Sequence, residues 1–388
     1  MKIAIVTTNF PRWEGDFRVP FIIDVARAIQ AKGHTVRIIT PHQPGTKQHE
    51  IFEGMEVFRA KYLPEKAEVL QKDSAGLPAA WKRGFIYKLA MIPYVAALTD
   101  AVARHAKGCD IIHANFSLAG FASAITRPFH HLPYVVTIHG SDIFKTVDKP
   151  LLKIPVKTAL EHASHIIAVS QALAEGAESV GISPEKIQVI PTGIDISKFP
   201  VGAPEDRKDT LIYVGSLIKR KSVITLLQAM EKLRDQFPTL QLQIVGEGDL
   251  RQSLEVYTDQ HALRDRVQFL GTQSQADVAR LMREAKIFIL PSTEEGQGAV
   301  LVEAMASGTP CIGSRAGGIP TVITPETGLT FEPGNSDELA QAVTTLLEDK
   351  SFWQSAALQG RERAKAHYDW NVLAESIIAI YNNVLQQN

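Results

Sequence analysis

Short, β-branched, nearly continuous apolar runs recur along this chain and alternate with stretches of helical periodicity. No other feature restricts the fold as much, because strands that read apolar on both faces must be covered by helices on both sides. The first series comprises Ile3 to Val6, Val36 to Ile39, Asp110-Ile111-Ile112-His113, Tyr134 to Ile138, His165 to Val169 and Ile187 to Ile190. Between the first two runs, Phe21, Ile22, Val25, Ala26 and Ile29 fall at helical spacing, and Gly33 supplies a stop. The Pro-, Gly- and charge-rich stretch from Phe199 to Asp209 carries no periodicity and reads as a linker. A second series follows: Leu211 to Val214, Leu240 to Val245, Val267 to Leu270, Ile287 to Leu290 and Cys311-Ile312, with helical segments at Ser222 to Phe237 and Asp337 to Leu347. The pattern predicts an α/β protein of two Rossmann-like, doubly wound domains, 1–200 and 201–372. One open sheet of ten or more strands would be uncommon, and 388 residues suit two domains of ordinary size. In such folds a ligand belongs outside the carboxyl ends of the strands.

Charge and cysteine usage exclude several classes. Lys plus Arg number 41 against 42 Asp plus Glu, so no global field draws the chain onto nucleic acid. Cys109 and Cys311 are the only cysteines, which leaves neither a disulfide scaffold nor a zinc spacing. Ile3 to Val6 is too short for a signal-peptide core, predicting a cytoplasmic protein. Leu89 to Leu98, the longest apolar run, contains Pro93 and is about half of what a bilayer-spanning helix needs.

Three constellations can carry chemistry. In Pro291-Ser292-Thr293-Glu294-Glu295-Gly296-Gln297-Gly298-Ala299-Val300-Leu301-Val302-Glu303, a buried strand gives way to a Gly-rich turn and then to a helix near Gly298. Backbone N–H groups at that helix start, with Gly296 and Gly298 offering no side chain, suit a phosphate or sugar oxygen. Glu303, flanked on its face by Ala299, Val300, Ala306 and Ser307, is either open to a ligand or a solvated helix charge. Gly215-Ser216-Leu217-Ile218-Lys219-Arg220-Lys221 places three cations after a strand, a diphosphate site or a solvated basic loop. His139, in Thr137-Ile138-His139-Gly140-Ser141-Asp142, can donate to a sugar hydroxyl, stabilise developing charge, or serve only the structure. Gly15-Asp16 after the first strand is its companion.

In order and context these motifs resemble the retaining glycosyltransferases of the GT-B fold, specifically the large family 4 (group 1), over the whole chain. Glu295 and Glu303 with the intervening residues are similar to the family signature. The resemblance implies two Rossmann-like domains facing a cleft, the N-terminal one binding the acceptor and the C-terminal one the nucleotide sugar, with the last helix, 373–388, packing back on the N-terminal domain. It implies that Glu303 holds the ribose hydroxyls, that Glu295 contacts the transferred sugar, and that Arg220 and Lys221 bind the diphosphate. His139 would lie beside the donor sugar, and Gly15 would approach the phosphates and the acceptor. The donor contacts then comprise Gly15, Gly215, Arg220, Lys221, Gly296, Gln297, Gly298, Val300, Leu301 and Glu303, with His139, Glu295 and Lys221 at the reacting centre. The sequence departs from the family where Ser216 replaces Arg, Ser222 replaces Gly, Gln297 replaces Phe, and Thr321 stands where Glu is usual.

The resemblance also implies same-face displacement, in which the leaving phosphate oxygen takes the acceptor's proton. Negative charge developing on the diphosphate is what the cations and the helix start could stabilise. No Asp-x-Asp pair occurs, so neither a metal nor another cofactor is expected beyond a UDP- or GDP-linked donor. A nicotinamide dehydrogenase is disfavoured because no Gly-x-Gly-x-x-Gly follows a strand; Gly246-Glu247-Gly248 has only the first two glycines. A two-lobed sugar-binding protein and a GT-B sugar-nucleotide epimerase are the alternatives. In residues 79–98, Trp81, Phe85, Tyr87 and Tyr94 interleave with Lys82, Arg83 and Lys88. This is either a core helix or a helix lying on an anionic membrane, the second placing a glycan or lipid-linked acceptor at the cytoplasmic face.

Overall fold

The computed structural model describes residues 1–13, 15–16, 20–70, 84–140, 150–202 and 207–387. The chain divides into two compact units, one of Met1–Pro191 with Leu373–Asn388 and the other of Thr192–Val372.

The first unit holds an eight-stranded sheet: β1 (Lys2–Thr7), β2 (Thr35–Pro41), β3 (His49–Phe52), β4 (Met55–Ala60), β5 (Ile111–Asn115), β6 (Tyr134–Ile138), β7 (His165–Ala168) and β8 (Ile187–Val189). The strand order is β3-β4-β2-β1-β5-β6-β7-β8, parallel except for β3. Its helices are α1 (Pro20–Ala31), α2 (Phe85–His105), α3 (Ser117–His130), α4 (Pro150–Glu161) and α5 (Gln171–Ser179). Ile3, Ala4, Ile5 and Val6 have no solvent exposure, as a doubly covered strand requires. The β3–β4 hairpin was absent from the sequence reading. Its turn, Glu53-Gly54, has positive φ at both residues, 49° and 76°, the backbone of a tight two-residue hairpin, without the Asn-Gly or Asp-Gly that usually announces one.

The second unit holds six parallel strands: β9 (Lys208–Val214), β10 (Gln241–Val245), β11 (Val267–Gly271), β12 (Ala285–Leu290), β13 (Cys311–Ser314) and β14 (Gly328–Phe331). They run in the order β11-β10-β9-β12-β13-β14. Helices α6 (Val223–Lys232), α7 (Arg251–Gln260), α8 (Gln275–Glu284), α9 (Ala299–Ala306), α10 (Ile319–Val322), α11 (Ser336–Glu348) and α12 (Lys350–Tyr368) surround them. Then α13 (Trp370–Gln387) begins, and from Leu373 onward it belongs to the first unit. The single-sheet alternative is thereby excluded. Edge strand β14, Gly-Leu-Thr-Phe, has only two apolar side chains and no apolar run to announce it.

The division falls after Pro191 rather than after residue 200. Ile194, Ile196 and Phe199 pack into the core of the second unit, with Phe199 only 1% exposed. The supposed linker is therefore shorter than read: Arg361 donates to the Phe199 carbonyl at 2.7 Å, and β9 already begins at Lys208. Residues 203–206 lie outside the described residues. Helix α6 ends at Lys232, earlier than the Phe237 expected.

Helix α2 is long and apolar enough, by length and composition, to cross a membrane. One face is nevertheless core: Tyr94, Leu98 and Val102 are fully buried, and the Tyr94 hydroxyl donates to the Thr8 carbonyl at 2.9 Å. Trp81, Lys82 and Arg83 of the interleaved stretch lie outside the described residues.

Candidate active site

In the second unit the site is built where loops leave the carboxyl ends of β9 and β12. After β9, Gly215 passes so close to its neighbours that a Cβ there would sit 2.7 Å from the Tyr213 hydroxyl oxygen. The glycines of Gly246-Glu247-Gly248 serve the same crossing. A Cβ on Gly246 would lie 2.0 Å from the Gly215 carbonyl oxygen, and one on Gly248 would lie 2.4 Å from that of Leu217. Two backbone hydrogen bonds, from the Leu217 N–H to the Glu247 carbonyl (2.9 Å) and from the Leu250 N–H to the Leu217 carbonyl (3.0 Å), then fix the loop.

Lys219–Lys221 forms one 3₁₀ turn, and the loop of residues 291–298 lies against it. The Thr293 N–H donates to the Arg220 carbonyl at 2.7 Å, and Arg220 Nη1 donates to the Glu294 carbonyl at 3.3 Å. Lys221 Nζ forms an ion pair with Glu295 Oε2, the two side chains being 12% and 13% exposed. Lys221 and Glu295 were read from the sequence as acting on different parts of the donor; the fold makes them one unit. Ser292 Oγ donates to the same carboxylate oxygen at 3.3 Å, and the Ser314 hydroxyl holds the Ser292 carbonyl. The Glu295 main chain is clamped as well: the Gly318 N–H donates to its carbonyl at 3.1 Å, and a Cβ on Gly317 would fall 1.9 Å from that oxygen.

Gly296 is partly exposed and Gly298 is buried at the start of α9, with φ +85°. On α9, Leu301, Val302, Ala304, Met305 and Ala306 enter the core, leaving Ala299, Val300 and Glu303 on the less buried side. Two expectations are corrected here. The Leu301 side chain is core, and its N–H is bonded to the Gly298 carbonyl at 2.8 Å, so it offers no donor to a ligand. The Gln297 amide is spent on Thr192, accepting from its N–H at 2.5 Å and donating to its carbonyl at 2.9 Å. A polar side chain replaces an aromatic there because it pins a buried backbone segment.

In the first unit, His139 follows β6 and is clasped by aromatic rings. Phe21 of α1 and Phe116 each stand 4.7 Å from its ring centroid. Its Nε2 lies 3.0 Å from Asn115 Oδ1. Burial, with a smaller contribution from His113, pushes the His139 pKa down to about 3, so the ring is neutral near pH 7. Any stabilisation of developing charge by His139 therefore comes from a neutral ring. Below it, His113 Nε2 meets Thr137 Oγ1 at 2.7 Å, and His113 Nδ1 meets the hydroxyl of Tyr381 on α13 at 2.6 Å. Gly15 has φ +85° with nothing among the described residues within 4 Å of where a Cβ would stand, and neighbouring Asp16 accepts from Arg12 Nε at 2.9 Å. Ser141 and Asp142 lie outside the described residues. Asn115, Phe116, Gly317 and Gly318 were missed as site residues. Only the Gly-Gly pair carried a local signal.

Comparison with known proteins decides the family. The family model described as glycosyl transferases group 1 matches residues 195–366, and that of glycosyltransferase family 4 matches residues 20–198. The chain belongs to the group 1, family 4 glycosyltransferases. Similar proteins include an uncharacterised glycosyltransferase of Methanocaldococcus jannaschii, 26% identical, covering 100% of this chain and 99% of that protein. A glycogen synthase of Mycobacterium tuberculosis is 27% identical, covering 98% and 94%. Among solved structures, sucrose-phosphate synthase from Thermosynechococcus elongatus superposes with a TM-score of 0.81 at 23% identity, covering both chains completely. Anabaena HepE in complex with UDP-glucose gives 0.76 at 22% identity, covering 99% and 100%. The fold of this family member is GT-B, two Rossmann-like α/β domains.

Proposed function

We propose that this glycosyltransferase moves a sugar, with retention of anomeric configuration, from a nucleotide-diphosphate sugar to a hydroxyl of a glycan, lipid-linked or small-molecule acceptor, without a metal. The observation that carries this reading is the Lys221–Glu295 pair, which sets the acidic loop directly on the cationic turn. An ammonium has three donors. One serves Glu295, leaving two for the oxygens of a leaving diphosphate while Glu295 accepts from a hydroxyl of the transferred sugar. Arg220 and the first N–H groups of α9 add positive potential where charge develops. Glu303, on the less buried side of α9, takes the ribose hydroxyls. A UDP-linked sugar is the first donor to try, since Anabaena HepE is described with UDP-glucose.

The test is a panel of UDP- and GDP-sugars with and without glycan and lipid-linked acceptors, read as nucleotide release. Acceptor-dependent release with an α-linked product from an α-linked donor supports the reading. Interconversion of the donor sugar without acceptor would make the protein an epimerase, and binding without release a sugar-binding protein.

One observation favours a membrane-borne acceptor. Ile86, Leu89 and Ile92, spaced along one stripe of α2, are 72%, 50% and 70% exposed, and Ile154 of α4 is 67% exposed. Apolar side chains on the first turns of two helices, together with exposed Lys88 and Lys153, suit the surface of an anionic membrane on the cytoplasmic side. Vesicle co-sedimentation that rises with anionic lipid and is lost in an Ile86→Ser, Leu89→Ser, Ile92→Ser variant supports it; binding unchanged by that variant removes it.

A further inference from the structure

His139, half-buried after β6, is held by more than its packing needs. Asn115 is 2% exposed, yet among the described residues its Nδ2 has no hydrogen-bond partner. A buried unpaired amide donor is unfavourable, so an apolar residue at the end of β5 would be cheaper for folding alone. What the amide supplies is Oδ1, an acceptor 3.0 Å from His139 Nε2, which obliges that nitrogen to donate. The next residue, Phe116, has φ +74°, a left-handed backbone that a bulky L residue rarely adopts. That backbone is pinned at both ends, its N–H donating to the Thr137 carbonyl at 3.0 Å and its own carbonyl accepting from the Gly120 N–H at 3.1 Å. The strained turn is what sets the Phe116 ring against the imidazole, beside Phe21 and edge-on to it. Register explains why these residues meet: Asn115 pairs with Thr137 across β5 and β6, so the side chains leaving the two strand ends converge on residue 139.

We infer that Asn115 is a positioning residue for sugar transfer, fixing the plane of the His139 ring and keeping its proton on Nε2. In that tautomer the Nε2 proton is committed to Asn115, so Nε2 does not donate to a sugar hydroxyl. Among the described residues, the titratable group acting on His139 is His113 on β5, itself neutral and bracketed by Thr137 and Tyr381; α1 and Phe116 present only apolar rings. The activity arm of the test rests on the transferase reading; the spectroscopic arm does not.

The experiment is long-range ¹⁵N–¹H NMR of the full-length chain labelled at histidine, with transfer rates measured from pH 5 to 9. The wild-type His139 should show the neutral Nε2–H pattern throughout. Asn115→Ala should give a mixture of tautomers and lower kcat by roughly ten- to a hundredfold, as when the group orienting a ligand imidazole is removed, with the donor KM unchanged. Asn115→Asp places a carboxylate on Nε2 and should raise the His139 pKa by about one to three units, adding an acid limb to the rate profile. A wild-type Nδ1–H pattern, or an Asn115→Asp variant with an unshifted His139 pKa, overturns the inference even if Asn115→Ala does not fold. If neither the wild type nor any variant transfers sugar, the tautomer data still decide it, and only the proposed function falls.

Discussion

The two units share a parallel-sheet architecture but hold their candidate site residues by different means. In residues 192–372 the backbone does most of the holding: glycines at 215, 246, 248 and 317 let loops cross where any Cβ would collide, and one ion pair finishes the assembly. In the first unit, residues 1–191 with 373–388, buried polar side chains do it, through Asn115, His113, Thr137 and Tyr381. Their buried ionisable groups differ in the same sense. The second unit buries Arg207, whose guanidinium is caged by the carbonyls of Met282, Ala285, Ser307 and Gly308 and by Thr309 Oγ1. Burial lowers its pKa only to about 10, so it stays charged at all ordinary pH. The first unit buries a guanidinium too, Arg59 paired with Glu50, but it also buries His113 and His130, which burial keeps neutral. A close-packed backbone crossing is indifferent to pH, whereas a network of neutral rings is stable only while the rings remain uncharged.

Acid should therefore separate the units, and this is the largest effect expected. Burial lowers the pKa of His113 and His130 to about 4 and that of His139 to about 3. Above the unfolded value near 6.5 nothing is lost. As pH falls from there toward 4, the unfolded chain takes up protons that the fold refuses, costing up to about 1.4 kcal/mol per imidazole per pH unit. Calorimetry at pH 5 should resolve two transitions, the lower one belonging to the first unit, that merge or approach at pH 7.5. A transition of the second unit that moves equally would break the comparison.

Removing charge from the second unit should stop chemistry and spare the fold. Lys221→Ala and Glu303→Ala are each expected to cost about 2 to 4 kcal/mol in the transition state, two to three decades in rate. Gly317→Ala should reach a similar end through the backbone, because its Cβ must displace the Glu295 carbonyl. Wild-type turnover in Lys221→Ala would remove the ion pair from the mechanism.

Gln297→Ala sharpens the contrast further. It leaves the N–H and carbonyl of buried Thr192 without partners, so a loss of about 2 kcal/mol of stability is expected, with UDP affinity changed less than twofold. A tenfold loss of UDP affinity would return Gln297 to the ligand. The smallest effect belongs to Ser222, which has φ +47°, where the family commonly has glycine. Ser222→Gly should relieve left-handed strain and, after the added chain entropy of glycine, stabilise by about 0.5 kcal/mol in urea melts.

Much of the candidate site in the second unit was legible because its chemistry is local. The end of β12, the glycines after it and the acidic residue on α9 sit in consecutive sequence, and their turn chemistry reads directly. The roles of single side chains were less legible. Gln297 and Leu301 were placed toward a ligand because their neighbours were, yet Gln297 turns to Thr192 and Leu301 into the core. Asn115 and Phe116 carried no signal at all, since an Asn after a strand and a Phe before a helix are ordinary residues until the backbone and the register are known.

The sequence by itself determined the α/β alternation, most strand limits, the cationic turn after β9 and the two glutamates around the start of α9, because periodicity and turn preference act over a few residues. Tertiary structure alone decided the meetings across distance: Lys221 with Glu295, 74 residues apart, Gln297 with Thr192, 105 apart, and Tyr381 with His113, 268 apart. Strand order, register and the close crossing of loops set those pairs, and no short-range pattern encodes them.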